Sequence, residues 1–293
     1  MGAVGILHTM IPTYVFLPGS FSNSFMFAPL VREMALRGHR ALAVDLPGHG
    51  YAARFSPAYQ APQDPVALAT APSASAGVTL SATVDAAVEV VRRAAAHGPV
   101  VLVAHSRGGL TATGVANRVP ELLHRLVYVS AWCCMDSTPE VYHASEENAG
   151  SVLDRTLSAA VGDPARLGAL RFNYRSADPA LLAALHEALL ADGTEGEFLA
   201  FLNTLEPDEN LDGGGLADRA DATTWGTVDR TYVRLTADRS LPLPLQDRFI
   251  AEADRLVPDR PFHVRSLDAS HVGPLVRPAA LAAILDEVAV RSR

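Results

Sequence analysis

The sequence predicts an α/β fold: a mostly parallel sheet of about six strands flanked by helices, with a helical cap inserted after the fourth strand. Three observations predict it. Six short apolar runs rich in β-branched residues recur along the 293 residues. Helical patterns lie between most of them. One long stretch, 135–228, breaks that alternation.

The runs are "TYVFL" (Thr13–Leu17), "HRALAVDL" (His39–Leu46), "PVVLVAH" (Pro99–His105), "RLVYVSAW" (Arg125–Trp132), "RTYVRLT" (Arg230–Thr236) and "PFHVRSL" (Pro261–Leu267). Continuous apolar runs of this length suit strands covered on both faces, as in a parallel sheet. Phe25–Arg37 carries Phe27, Leu30, Val31, Met34 and Ala35 at helical spacing. Thr79–Ala96 repeats Val84, Ala87, Val88 and Val91, with Thr79 as its N-cap. Leu275–Val290 closes the chain with Leu281, Ile284, Leu285 and Val288. Strands and helices in alternation read as βαβ units.

Two regions depart from that rule. Phe55–Ala76 holds Pro57, Pro62, Pro65 and Pro72 and reads as a surface excursion. Residues 135–228 contain a helix start at Asp178 and Pro179, then Leu181, Leu182, Leu185 and Leu189 on one face. Phe198, Phe201, Leu202 and Leu205 mark a second amphipathic helix, and Asp212–Gly215 is a flexible break. The expected organisation is a core of 1–134 and 229–293 with a cap of 135–228.

Composition narrows the function. Hydrophobic residues make up 49% of the chain and charged ones 19%, enough for a sizeable core. A formal net charge of −8 without a Lys/Arg run disfavours nucleic acid as a partner. No apolar stretch nears the ~20 residues that span a bilayer, so no membrane partner is expected. "MGAVGILHTM" has no basic n-region, and Ile6 sits where a myristoylation motif needs Ser or Thr. Cys133 and Cys134 are adjacent and give no disulfide framework, so a reducing cytoplasmic compartment is expected. They read as small buried residues. The ten histidines show no metal-ligand spacing, so no metal and no cofactor is expected.

The third run ends abruptly: "VVLVAHSRGGL" puts Ser106 between His105 and Arg107 and then two glycines. A strand that turns sharply into a helix lifts the turn residue to the sheet's carboxyl edge, where crowding demands small neighbours. Ala104 and Gly108 supply them, as A-H-S-R-G in place of G-x-S-x-G. The helix that follows points free amides at the serine, which favours developing negative charge. A serine hydroxyl also needs a base. Asp238 follows the fifth run and His271 the sixth, in the order serine, acid, histidine. Asp136, after the fourth run, is the rival acid. Asp268 stands too close to His271 in the chain to orient it.

An oxyanion hole needs two backbone N–H groups. Arg107 supplies one. Ser20, in "LPGSFSNS", is the candidate for the other because Gly19 lets the backbone bend close; Phe21 is the runner-up. His105 and "DLPGHG" (Asp45–Gly50) read as structural, and the Arg107 side chain as one half of an ion pair. Gly19, Phe21, Trp225 and Val272 are the candidate substrate contacts, with Tyr142 also on the cap.

At these residues the chain resembles the α/β-hydrolase superfamily, and more narrowly its branch of plant methylesterases, hydroxynitrile lyases and bacterial relatives. The resemblance rests on "VFLPGSFSNSFMFAPLVREMALRGHRALAVDLPGHG", "PVVLVAHSRGG", "TYVRLTADRSLPLPLQDRFI" and "LDASHVGPLVRP". Pro18 replaces the branch's usual histidine. The resemblance implies an α/β-hydrolase fold and a cofactor-independent serine enzyme. Lyases of this branch carry a threonine in the oxyanion loop and a lysine after the histidine. The matching positions here are Gly19 and Val272, which favours an esterase acting on a small or medium hydrophobic small-molecule ester. The alternatives are lyase-like carbon–carbon chemistry, a thioesterase of natural-product assembly, and a ligand receptor without catalysis.

Overall fold

A computed structural model describes residues 11–290. The readings of the "MGAVGILHTM" segment fall on residues 1–10 and lie outside the described residues. Among the described residues eight strands occur in chain order: Thr13–Leu17 (β1), Arg40–Ala43 (β2), Val100–Ser106 (β3), Leu123–Ala131 (β4), Ala169–Arg171 (β5), Asp208–Asn210 (β6), Arg230–Leu235 (β7) and His263–Leu267 (β8). Six form one sheet in the order β2-β1-β3-β4-β7-β8. Every pairing in it is parallel. β5 and β6 form a separate antiparallel pair within 135–228.

Alternation along the central strands divides the core into two faces. Val15, Leu17, Leu102 and Ala104 pack with the helices Leu80–Ala95, Gly108–Arg118 and Leu243–Leu256. Tyr14, Phe16, Val101 and Val103 pack with the helices Ala28–Leu36 and Ala279–Val290, and that cluster continues into Leu181, Leu185, Phe198 and Phe201. The helices Pro179–Leu189 and Glu195–Leu202 therefore extend one core face, while Met135, Tyr142, Trp225 and Val228 pack into the other. β2 and β8 are edge strands and none of their residues is fully buried, because only the inner strands are covered on both sides. The expected strand "HRALAVDL" accordingly shortens to four residues.

Helix signals in the sequence have local causes in the structure. Thr79 Oγ accepts from Ala82 N at 3.1 Å, and Asp178 Oδ1 accepts from Leu181 N at 2.8 Å. Thr194 and Glu197 form a capping box that starts the helix Glu195–Leu202. The Pro-rich excursion is tied down by Arg171 of β5, whose guanidinium donates to the carbonyls of Leu68 and Ala71 at 2.6 and 2.9 Å. Among the described residues no helix is long and apolar enough to cross a membrane.

Candidate active site

β3 ends at Ser106 with φ of +52°, a left-handed conformation that is costly for a residue with a Cβ, about 1–3 kcal/mol. The surroundings hold it there. A Cβ at Gly108 would stand 2.5 Å from the Pro18 carbonyl oxygen, and one at Gly109 would stand 2.1 Å from that of Trp132. The two glycines let the helix start against the ends of β1 and β4. Trp132 N donates to the Ser106 carbonyl at 3.0 Å.

β3 and β4 lose register between His105 and Ser106, so that Ser106 pairs with Ala131. The slip leaves Ser130 outside the pairing, with φ of +38°. Its hydroxyl donates to Asp238 Oδ2 at 2.6 Å. A bulge here re-aims a side chain at the site.

Asp238 follows β7 and is buried. Its Oδ2 accepts from His271 Nδ1 at 2.6 Å as well as from Ser130. Its Oδ1 accepts from the backbone N–H groups of Ser240 and Leu241 at 2.7 and 2.9 Å. Four donors thus hold one carboxylate. The rival Asp136 is half exposed and pairs with Arg255 at 2.6 Å. Asp268 accepts from Thr236 Oγ1 at 3.3 Å on the surface. With Nδ1 donating to the acid, neutral His271 keeps Nε2 free to accept a proton.

Ser106 and His271 line one cavity of about 590 Å³. No hydrogen bond joins Ser106 Oγ to the imidazole; contacts of this kind tighten when substrate closes a site. Ser20 and Arg107 line the same cavity, and neither N–H donates a hydrogen bond within the described residues. The Phe21 N–H, the runner-up donor, is taken: it donates to Glu209 Oε2 at 2.9 Å. A Cβ on Gly19 would lie 2.8 Å from Ser106 Cβ and 3.3 Å from its Oγ. Gly19→Ala is therefore expected to lower kcat by at least about 10-fold, because the oxyanion loop or Ser106 must shift to admit the methyl group, checked by steady-state kinetics beside a melting curve.

Of the candidate substrate contacts, Gly19, Phe21 and Val272 line the cavity. Trp225 does not, and its expected role is corrected. It is fully buried in the core, where Nε1 donates to Tyr128 Oη at 2.9 Å and Arg230 stacks 4.0 Å from its ring. An indole in a helical insertion looks like a cap residue in sequence, but the insertion's last stretch returns to the sheet. Tyr142 is likewise buried, hydrogen-bonded to Glu252. Leu170, Leu185, Leu189, Phe201 and Leu205 are among the residues of 135–228 that line it. Cys133 and Cys134 are buried free thiols pushed upward in pKa by burial, so neither is a ready nucleophile.

His105 is buried behind His271. Its Nε2 donates to the His271 carbonyl at 2.9 Å, and the ring centroids are 4.5 Å apart. Burial, then the neighbouring His271, lowers its pKa to about 3. The folded state thus refuses a proton that the unfolded chain takes up below about pH 6.5, and stability falls as pH falls from there toward 3. Against His105→Gln, the wild type is expected to lose about 2 kcal/mol between pH 7 and pH 5 by denaturant titration.

An elbow of this construction at the carboxyl edge of a parallel sheet marks the α/β-hydrolase fold. The chain belongs to the alpha/beta hydrolase family, whose model matches residues 14–284. Similar solved structures include a pyrethroid hydrolase from Sphingobium faniae JZ-2, with 20% identity and a TM-score of 0.68 over 95% of this chain and 97% of that one. Polyneuridine aldehyde esterase has 19% identity and a TM-score of 0.66 over 95% and 99%. Tomato methylketone synthase I has 16% identity and a TM-score of 0.65 over 96% and 97%. At these identities the likeness is one of fold. A search of curated proteins returned no match.

Sequence reasoning missed Ser130, Glu206 and Glu209. Glu206 and Glu209 sit in "EPDEN" (Glu206–Asn210), which reads as a solvated acidic loop yet is buried at Glu206, Asp208, Glu209 and Asn210. Their partners are distant in the chain, so no spacing signals them. The Arg107 side chain is an ion pair, as expected, with Glu209 at 2.9 Å.

Proposed function

We propose that the protein is a serine esterase that hydrolyses a carboxylic ester of a small or medium hydrophobic substrate through an acyl-enzyme. The observation that carries this reading is the Asp238–His271 pair, 2.6 Å apart, opening with Ser106 onto one largely apolar cavity. Ser106 Oγ attacks the ester carbonyl while His271 Nε2 takes its proton. Asp238 holds the imidazole with Nδ1 protonated and stabilises the imidazolium. The free N–H groups of Ser20 and Arg107 receive the tetrahedral oxyanion. His271 returns the proton to the leaving alcohol. Water then repeats the sequence on the acyl-enzyme.

Val272, buried and apolar beside the base, offers no charge to a leaving cyanide, which supports hydrolysis over cyanohydrin cleavage. With a p-nitrophenyl ester the reading predicts Ser106-dependent turnover and one equivalent of p-nitrophenol in the first cycle where deacylation is slow. Its absence across short- and medium-chain esters would count against the proposal.

The lining also points to charge selectivity. Glu140, Asp154 and Glu209 face the cavity, and the Arg107 guanidinium is already engaged by Glu209, Asn210 and Asp212. Among the described residues of the lining there is no lysine and no second arginine to receive a substrate carboxylate. A neutral ester is expected to exceed its carboxylate-bearing analogue in kcat/KM by about 10- to 100-fold, measured on a matched pair.

A further inference from the structure

One carboxylate touches both segments that carry the free amides. Glu209 Oε2 accepts the N–H of Phe21, the residue after Ser20, at 2.9 Å. Its Oε1 lies 2.9 Å from the Arg107 guanidinium, on the residue after Ser106. Phe21 is held in a left-handed conformation, φ +55°, that a bulky side chain rarely adopts. Its carbonyl is fixed as well, by Glu206 N at 2.8 Å. Both backbone polar groups of Phe21, its N–H and its carbonyl, are therefore held by the segment Glu206–Asn210.

We propose that Glu209 is a positioning residue that sets the separation and direction of the Ser20 and Arg107 amides by bridging the loops that bear them. The inference rests on the acyl-transfer reading above. Glu209 is buried, and Oε1 also accepts from Asn210 N and Nδ2 at 2.9 and 2.7 Å, so its rotamer is locked. The Arg107 guanidinium is in turn bound by Asn210 Oδ1 at 2.9 Å and by the Asn210 carbonyl at 3.0 Å. A negative charge near a developing oxyanion opposes catalysis unless it is neutralised, and Arg107 neutralises this one. The cap thus takes part in the geometry of the oxyanion hole as well as roofing the cavity. His49 Nε2 lies 3.7 Å from Oε2 and has no hydrogen-bond partner among the described residues.

The test is Glu209→Gln, which keeps the shape and loses the charge-assisted bridge. Expected are a 10- to 100-fold fall in kcat, a KM within about 3-fold of wild type, and an equal loss of affinity for a trifluoromethyl ketone that forms a hemiketal with serine. Affinity for the corresponding alcohol product is expected to hold. Unchanged kcat, or a rise in KM alone, overturns the bridge and leaves Glu209 as cavity wall. Where Glu209→Gln does not fold, Arg107→Gln removes the other end of the bridge and is held to the same pattern. Turnover in the wild type that survives Ser106→Ala overturns the acyl-transfer reading itself; Ser106-dependent turnover with normal kcat in the Glu209 variant overturns the bridge alone.

Discussion

Ser106→Ala is expected to lower kcat by about 10⁶-fold while the protein keeps its fold. The size follows from the reaction proposed. Without the hydroxyl no acyl-enzyme forms, and the imidazole, the acid and the amides act as a unit that has lost its reacting atom. Their residual effect is binding and oxyanion stabilisation of direct attack by water. The fold is expected to hold because alanine keeps the Cβ at a residue that is only partly buried. The φ of +52° is strained for alanine as it is for serine, so the substitution neither adds nor relieves much strain. Steady-state kinetics on a neutral p-nitrophenyl ester, with a melting curve for both proteins, separates chemistry from folding. A variant that retains more than about 1% of wild-type kcat contradicts the assignment of the nucleophile.

Asp238→Asn is expected to cost about 10⁴-fold in kcat with a small change in KM. The surroundings dictate which way the new amide faces. Oδ1 accepts from the backbone N–H groups of Ser240 and Leu241, which accept nothing in return. The amide oxygen must stay there, and the NH₂ falls at the Oδ2 position against His271 Nδ1 and Ser130 Oγ. A donor at that place makes Nδ1 the acceptor, so the proton moves to Nε2, the atom that has to take a proton from Ser106. The imidazole stays in place in the wrong tautomer. Loss should thus appear in kcat and in acylation rate, with substrate affinity nearly intact. Asp136→Asn, changed on an exposed ion pair with Arg255, is the control and is expected to stay within about 2-fold of wild type. The reverse result, activity lost in Asp136→Asn and kept in Asp238→Asn, would move the acid to the fourth strand.

Much of this was legible because it is local. The apolar runs announce β1, β3, β4 and β7 since burial on both faces leaves no room for alternation, and the abrupt polar stop at Ser106 announces the elbow. Asp178 and Thr79 announce helix starts because a cap is a contact between near neighbours in the chain. Asp238 and His271 were legible through their positions just beyond strand ends, a topological regularity. What escaped was long-range and polar. Nothing in "EPDEN" tells that Glu209 meets Phe21, 188 residues away, because acidic residues ordinarily face water and this run is enclosed by Arg107, Asn23 and Gly50. Ser130 escaped because its role depends on a register slip between two parallel strands that no composition marks. Trp225 misled for a related reason. Its place in the insertion suggested the cavity roof, while its partners Tyr128 and Arg230 belong to the sheet.

The central claim is that a hydroxyl at the sheet's carboxyl edge becomes the nucleophile, and active-site labelling reads it most directly. Treatment with a fluorophosphonate, digestion and mass-spectrometric mapping should place one adduct on Ser106, with none on the Ser106→Ala variant. An adduct on Cys133 or on another serine, or a wild-type protein that takes up no label while still hydrolysing ester, would contradict it.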